Sequence, residues 1–221
     1  MSAIDRIKLA KSASASLAIA STIQKNDALE QIANLLVASE KDIVSANLKD
    51  LERAKSEGLS VGLQDRLMLN KDRILALANS IREIVALPDP IGESVRGMSL
   101  PNGLKLSQVR VPFGVVGAIY EARPNVTVDI SALALKSGNA VVLRGGTAAE
   151  NTNIALVKVL QQGLTKAGLS GDLVQTVDDF GRDGANAMMA ARGLIDVLIP
   201  RGSAGLIKAV VEDSKVPVIE T

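Results

Sequence analysis

The chain contains no cysteine, no histidine and no tryptophan among its 221 residues. Without cysteine it can form no disulfide framework, no thiolate zinc site and no cysteine nucleophile, and without histidine it has no imidazole base. Aromatic residues are scarce as well, with one Tyr and two Phe, so the stacking surfaces that bind single-stranded nucleic acid are excluded. Carboxylates, hydroxyls, amides and basic side chains must carry any chemistry within this chain.

An excess of charge of one sign is also lacking, because 25 Lys and Arg face 24 Asp and Glu and the formal net charge is +1. This balance favours neither nucleic acid nor an anionic membrane as a partner. The sequence has no apolar run long enough to cross a bilayer, and its N-terminus lacks the pattern of a secretory signal. We therefore expect a cytoplasmic protein whose phosphate sites, if any, are local. At 47% hydrophobic residues it can bury a core.

Residues 1–90 show the spacing of apolar residues that is typical of amphipathic helices. Breaks in this helical region are expected near Asn26 and Asp27 and again at residues 58–62, where two glycines occur. Pro88 and Pro90 end it, since each proline removes a backbone donor and restricts the residue before it.

Residues 91–112 predict a β-hairpin, with strands at 95–100 and 104–111. The turn between them contains Asn102 and Gly103, a pair that tolerates the positive φ angles that tight hairpin turns require. A long hairpin beside a parallel sheet can serve as an assembly arm, and a plain solvated edge is the equally supported alternative.

Residues 113–221 alternate between strand and helix patterns. An apolar run at 115–122 predicts a strand buried on both faces, and a helix at 125–136 leads to a second such strand at 140–144. Later segments predict a helix at 150–166, a strand at 173–177, a helix at 183–191, a strand at 195–200, a helix at 206–211 and a strand at 216–220. About five parallel strands with intervening helices make a doubly wound α/β fold, whose ligands bind beyond the carboxyl ends of the strands.

Three glycine-rich turns follow predicted strands: Gly145-Gly146-Thr147, Gly181-Arg-Asp-Gly184 and Gly202-Ser203-Ala-Gly205. A glycine there lets the backbone approach a phosphate, and the next helix offers free N–H groups. None of the turns matches the standard dinucleotide fingerprint or a P-loop. For each single turn ordinary helix capping is the favoured explanation, but the occurrence of all three on one sheet edge favours a cofactor site.

Arg144 lies at the end of the second strand, where the adenosine ribose lies in dinucleotide-binding sheets. A guanidinium suits a 2′-phosphate, so the sequence predicts NADP(H) as the cofactor. The alternative is a surface arginine paired with Glu150. Ser203 is either the N-cap of the last predicted helix or a phosphate ligand, and the two roles are compatible.

An acid, a guanidinium and an amide follow the first buried strand at Glu121, Arg123 and Asn125. The Asn125 amide could donate to a developing oxyanion, although an Asx-turn or N-cap role fits the spacing equally well. Asp129 and Lys136, on the helix that follows, are interpreted as surface or packing charges.

The acidic residues Asp178, Asp179 and Asp183 match the spacing of no known metal-binding loop. We interpret them as solvated loop acids and predict no metal site.

Several stretches carry a family resemblance: Val111-Pro-Phe-Gly-Val-Val-Gly117, Tyr120-Glu-Ala-Arg-Pro-Asn-Val-Thr-Val-Asp129, Leu135-Lys-Ser-Gly-Asn-Ala-Val-Val-Leu-Arg-Gly-Gly146 and Ile199-Pro-Arg-Gly-Ser-Ala-Gly-Leu-Ile207. In these motifs the chain resembles the gamma-glutamyl phosphate reductases, or glutamate-5-semialdehyde dehydrogenases, a branch of the aldehyde dehydrogenase superfamily. The resemblance implies an aldehyde-dehydrogenase-like α/β fold with N-terminal helices, a hairpin and a doubly wound parallel-sheet cofactor domain. It also implies NADPH-dependent reduction of L-glutamyl 5-phosphate to L-glutamate 5-semialdehyde in proline biosynthesis, by a cytoplasmic homo-oligomer.

By the same resemblance Asn125 is the oxyanion donor and Arg123 an anion contact for the substrate. The cofactor contacts are Arg144, Gly145, Gly146, Gly202, Ser203 and Gly205. The family's nucleophilic cysteine lies a few residues beyond the point that matches residues 216–221. We therefore expect helices of the cofactor domain in residues 1–90, an assembly arm in 91–112 and an incomplete Rossmann-like NADP-binding domain in 113–221, without the catalytic domain and inactive alone. The alternative is a non-catalytic module that binds cofactor or another subunit.

Overall fold

The computed structural model of the chain describes residues 1–121 and 123–220. Its N-terminal part is helical, with α1 at Ala3–Ala18, α2 at Thr22–Ala38, α3 at Glu40–Ser56, α4 at Val61–Leu67 and α5 at Lys71–Ala86. Side-chain oxygens of Ser2, Ser21 and Asn70 accept hydrogen bonds from the third backbone N–H of α1, α2 and α5. These caps fix where the three helices begin, because they satisfy N–H groups that no helical carbonyl reaches.

The predicted helix break near Asn26 and Asp27 is wrong, since both residues lie inside α2. The chain instead turns at residues 19–21, before the Ser21 cap, and again at Ser39, which separates α2 from α3. The predicted break at residues 58–62 is confirmed in position, because α3 ends at Ser56 and α4 begins at Val61.

The predicted hairpin is confirmed as strands β1, Ser94–Ser99, and β2, Lys105–Val109. The strands pair antiparallel with Met98 opposite Leu106. Gly103 takes a φ of +86° in the turn, a conformation that favours glycine. Every residue of both strands is exposed.

The remaining chain forms the predicted parallel sheet, with β3 at Val115–Tyr120, β4 at Ala140–Arg144, β5 at Val174–Thr176 and β6 at Val197–Arg201. Its helices are α6 at Pro124–Lys136, α7 at Glu150–Lys166, α8 at Gly181–Ala190 and α9 at Ala204–Asp213. The strand order is β5-β4-β3-β6. Among the described residues the sheet has four strands rather than about five, because the segment predicted as a last strand makes only a single bridge, Val218 to Leu198. The predicted end of the first strand, at Ala122, and the predicted end of the cofactor domain, at Thr221, lie outside the described residues.

Helices cover the sheet on both faces, as the doubly wound prediction requires. The connections through α6 and α7 move in one direction across the sheet and the connection through α8 moves back, so right-handed crossovers put α8 on the opposite face. There α8 contacts α1, which also packs on β4 and β5. All residues of β3 are buried. On the outer side of α7, a side-chain carbon at Gly163 would collide with Ile32, so this glycine lets α2 approach closely.

The strand order creates a crevice at the carboxyl ends of β3 and β6. The chain leaves β3 towards β4 on one side, whereas β6 lies on the other side, and such a switch in direction leaves room for a ligand. Throughout residues 1–121 and 123–220, no helix combines the length and apolarity needed to cross a membrane.

Candidate functional site

The crevice brings together Glu121, which follows β3, and Ser203, which follows β6. The Glu121 carboxylate accepts hydrogen bonds from the Ser203 backbone N at 3.0 Å and from its Oγ at 2.7 Å. A side-chain carbon at Gly202 would lie 2.7 Å from Glu121 Cδ, so the glycine permits this approach. Ser203 Oγ also accepts from Leu206 N at 3.4 Å, and its predicted N-cap role for α9 is confirmed.

A cavity of about 440 Å³ opens at this point. It is lined by Leu63, Arg66, Tyr120, Glu121, Arg123, Val126, Arg201, Gly202 and Ser203. The guanidinium groups of Arg66, Arg123 and Arg201 form no ion pair with any residue in the described part of the chain. Unpaired guanidinium groups around a concave site favour an anionic ligand.

A second cavity, of about 330 Å³, lies beside the first and is bordered by Asn125, Asp129 and again Arg66. Asn125 Nδ2 donates to Asp129 Oδ2 at 3.2 Å. The N-cap alternative for Asn125 is wrong, because Arg123 is the N-cap of α6, Pro124 is its first residue and Asn125 lies one position further in.

Asp129 is half-buried rather than a surface charge. Burial raises the pKa of its carboxyl group, while the hydrogen bond from Asn125 and the charge of Arg201 act in the opposite direction. Burial disfavours an ion that has no strong partner. Lys136, the other charge predicted on this helix, packs as expected: its ammonium is buried and donates to Asn26 Oδ1 at 2.7 Å.

Arg144 borders a third cavity, of about 210 Å³, in the cleft between α8 and α9. The cleft is lined by Ile119, Arg144, Arg182, Ala185, Asn186, Met189, Leu206, Ala209, Val210 and Asp213. Arg144 Nε donates to the Gly181 carbonyl at 3.3 Å. The alternative pairing of Arg144 with Glu150 is not formed. Two guanidinium groups, Arg144 and Arg182, and one carboxylate, Asp213, thus border a cleft whose other lining residues are mostly apolar.

A buried polar network supports the turn after β4. Asp178 Oδ1 accepts from Gly145 N at 2.6 Å, and its Oδ2 accepts from Asn153 Nδ2 at 2.9 Å. The network continues as Thr127 donates to Asn153 Oδ1 at 2.9 Å and shares a 2.7 Å hydrogen bond with the Tyr120 hydroxyl. The Gly145 N–H is therefore held directly by Asp178, whose carboxylate is held in turn by Asn153.

The interpretation of the acids after β5 as solvated is wrong for Asp178, which is 3% exposed. Burial raises the pKa of its carboxyl group, although Asn153, the Gly145 N–H and Arg144 oppose the rise. Asp179 instead pairs with Arg6 at 2.7 Å. Gly145 is required here because a side-chain carbon would collide with the Asn153 amide.

The predicted site residues thus fall into three neighbouring groups. Arg123, Gly202 and Ser203 border the first cavity, Asn125 the second and Arg144 the third. Gly145 and Gly146 form the turn after β4, and Gly205 is the second residue of α9. Arg66 was not predicted as a site residue, because its position in the helical N-terminal part carries no motif. Asp129 was also not predicted as a site residue. Its spacing of four residues from Asn125 on the same helix was a signal that the two side chains are neighbours.

The fold and these sheet-edge turns define a known class. Residues 2–218 match the aldehyde dehydrogenase family, and the chain belongs to that family.

Within the family the chain is similar to gamma-glutamyl phosphate reductases, which confirms the predicted branch. It is 62% identical to the gamma-glutamyl phosphate reductase of Leifsonia xyli subsp. xyli over 98% of this chain and 52% of that relative. The crystal structure of the Thermotoga maritima enzyme of that name matches with a TM-score of 0.97 at 38% identity, over 100% of this chain and 53% of that one. The corresponding structure from Saccharomyces cerevisiae gives 0.90 at 32% identity, over 99% and 56%. The chain therefore spans about half the length of the curated relatives it matches.

Proposed function

We propose that the chain provides the cofactor-binding part of a gamma-glutamyl phosphate reductase. That oxidoreductase reduces L-glutamyl 5-phosphate to L-glutamate 5-semialdehyde with NADPH, in cytoplasmic proline biosynthesis. In this proposal residues 113–221 form a Rossmann-like NADP-binding unit, residues 1–90 cover it and residues 91–112 form an assembly arm. The proposal is supported by 62% identity across nearly the whole chain to a relative of that name.

The observation that carries the cofactor assignment is the cleft between α8 and α9. Its apolar walls, which include Met189 and Leu206, suit a planar base, and the guanidinium groups of Arg144 and Arg182 suit the 2′-phosphate that distinguishes NADP from NAD. When bound, the nicotinamide supplies the hydride for reduction. The chain's own contribution is to hold and orient the cofactor at the sheet edge.

The turns at Gly145-Gly146 and at Gly202 and Gly205 would let the backbone approach the cofactor phosphates. Ser203 would donate to a phosphate from its backbone N and its hydroxyl. Both donors are engaged by the Glu121 carboxylate. A phosphate at Ser203 would therefore have to displace Glu121, which is an anion already bound at the start of α9.

The substrate side of the proposal uses Arg123 and Asn125. The Arg123 guanidinium would attract the acyl phosphate. Asn125 Nδ2 carries two hydrogens, one of which is donated to Asp129, so the second can stabilise a developing oxyanion. In the family's reaction the substrate forms a thioester with a cysteine. This chain contains no cysteine. We therefore expect no reductase turnover from this chain alone.

A subunit-interaction role is the second candidate, and the hairpin favours it. Val95, Leu106 and Val109 are 53%, 51% and 48% exposed on its two strands. Apolar side chains along an open two-stranded ribbon suit pairing with another subunit. The two roles are compatible in a homo-oligomer.

The cofactor assignment is tested by titrating NADPH and NADH with the purified chain and following the fluorescence of the reduced cofactor. The absence of tryptophan keeps the protein's own signal low. Arg144→Ala should weaken NADPH about tenfold, the effect of losing one charge-assisted hydrogen bond, and NADH much less. Arg192→Ala is the matched control, because Arg192 is exposed and lies outside the residues lining the cleft. Equal weakening of both cofactors, or none, would contradict the assignment.

A further inference from the structure

Asp129 has acceptor capacity that the described residues leave unused. It lies on α6, half-buried, and accepts one hydrogen bond, from Asn125 at 3.2 Å. Neither Arg201, whose charge acts on it, nor any other cation in the described ranges comes within ion-pair distance. Burial penalises the ionised form of this carboxylate, and a cationic ligand would offset that penalty.

Arg66 borders the same cavity with the opposite charge. It lies on α4 and also borders the first cavity, so its side chain stands between the two. Its guanidinium has no hydrogen-bond or ion-pair partner in residues 1–121 or 123–220. The neighbouring Arg73 differs, because it pairs with Asp65 at 2.8 Å and donates to the Met68 carbonyl at 2.9 Å. Of the two arginines that line this cavity, Arg66 is therefore the one whose guanidinium has no partner among the described residues.

We propose that Asp129 and Arg66 form a subsite for the α-amino-acid end of the substrate. The Asp129 carboxylate binds the α-ammonium group, and the Arg66 guanidinium binds the α-carboxylate. This inference rests on the proposed function, which it deepens by assigning the residues that select an amino acid.

The composition of the cavity fits this ligand. Arg73 also lines the cavity but is paired with Asp65, which leaves one carboxylate, Asp129, and one unpaired guanidinium, Arg66, in the lining. These two groups complement the two charges of an α-amino acid. The apolar side chains of Met68, Leu69 and Leu77 line the rest of the cavity and suit the methylene groups of a glutamyl chain. Asn125 borders the same cavity, so the reacting end of such a ligand would reach the oxyanion donor.

The test uses the purified chain and three stable probes that differ by one charged group. L-glutamate carries both α-groups, glutarate lacks the α-ammonium and 4-aminobutyrate lacks the α-carboxylate. Their dissociation constants are measured from chemical-shift changes in NMR spectra of the chain. We expect L-glutamate to bind about tenfold more tightly than either analogue, since each loses one charge-assisted contact. This comparison needs no variant.

Two substitutions then assign the contacts. Asp129→Asn should abolish the preference for L-glutamate over glutarate and keep the preference over 4-aminobutyrate. Arg66→Gln should do the reverse. Asp72→Asn and Arg192→Gln are the matched controls, because both residues are exposed and lie outside the cavity lining.

Three outcomes would overturn the subsite: equal affinity for the three probes, no binding of L-glutamate, or a uniform loss of affinity for all probes in Asp129→Asn. The last result would mean that Asp129 only positions Asn125. NADPH titration of the same samples separates this failure from that of the proposed function. Retained NADPH binding with a failed subsite leaves the reductase proposal standing, whereas loss of both removes it.

Discussion

Replacing Asp178 by Ala tests whether the buried network supports the turn after β4. The substitution removes the acceptor of the Gly145 N–H and of the Asn153 amide, at 2.6 and 2.9 Å. Hydrogen bonds to an ionised acceptor contribute about 1.5–3 kcal/mol each, which gives about 3–6 kcal/mol for the pair. Part of this loss is offset, because the substitution also removes a carboxyl group whose ionised form is penalised by burial, the cause of its raised pKa. We expect a net loss of about 2–4 kcal/mol in the free energy of unfolding at neutral pH, a large share of the roughly 5–15 kcal/mol of a typical domain.

The assay is urea unfolding followed by far-ultraviolet circular dichroism, which needs no tryptophan. Asp27→Ala is the matched control, because Asp27 is exposed on α2 and makes no ion pair with a described residue. The control should change stability by less than about 0.5 kcal/mol. A loss below about 1 kcal/mol for Asp178→Ala would refute the reasoning, since it would mean that the turn holds its place without the carboxylate.

Three further predictions concern Asp129, the buried pair of Lys25 and Asp89, and Gly145. The pKa of Asp129 is raised in the folded protein, which therefore binds the carboxyl proton more tightly than the unfolded chain does. The protein accordingly loses stability as pH rises from the ordinary pKa of 3.8 through the higher folded value. Asp129→Asn stays neutral, so urea unfolding at about pH 4 and about pH 7 should find the variant gaining stability relative to the parent at the higher pH; an unchanged difference would argue against the raised pKa. Asp89→Ala leaves Lys25, 2% exposed and 2.6 Å from its carboxylate, without an ion-pair partner among the described residues, and should cost about 3–5 kcal/mol in the same assay. Lys25→Met in the same chain should restore much of this loss. Gly145→Ala should cost about 1–3 kcal/mol through its collision with a buried amide, whereas Gly205→Ala, with open space around it, should be neutral or stabilising by thermal melting.

Much of the fold could be predicted because the sequence alternates long apolar segments with clear stop signals. The helix at residues 150–166 and the strand at 140–144 have the predicted bounds, since glycines and apolar runs mark their ends. The misplaced break at Asn26 has a tertiary cause: this turn-favouring residue lies inside α2 and its side chain accepts from the buried Lys136 ammonium. Local preference was overridden by a contact across the fold.

Some residues of the candidate site could be predicted from the sequence and others could not. Glycine-rich turns and Arg144 could be found because they follow strands that end at one sheet edge. Asp178 could not be assigned, because an acid after a strand has the same local pattern whether it is solvated or bonded to the start of another loop. Arg66 and Asp129 come from separate parts of the chain, so only the packing of α4 and α5 beside α6 brings them to one cavity.

Hydrogen exchange measured by mass spectrometry, with and without saturating NADPH, tests the central claim that the cofactor lies between α8 and α9. We predict slower exchange at residues 144–146, along α8 and in the first turns of α9, with the hairpin unchanged. Protection that is absent from these segments while NADPH is bound would contradict the cofactor site and the assignment of Arg144 with it.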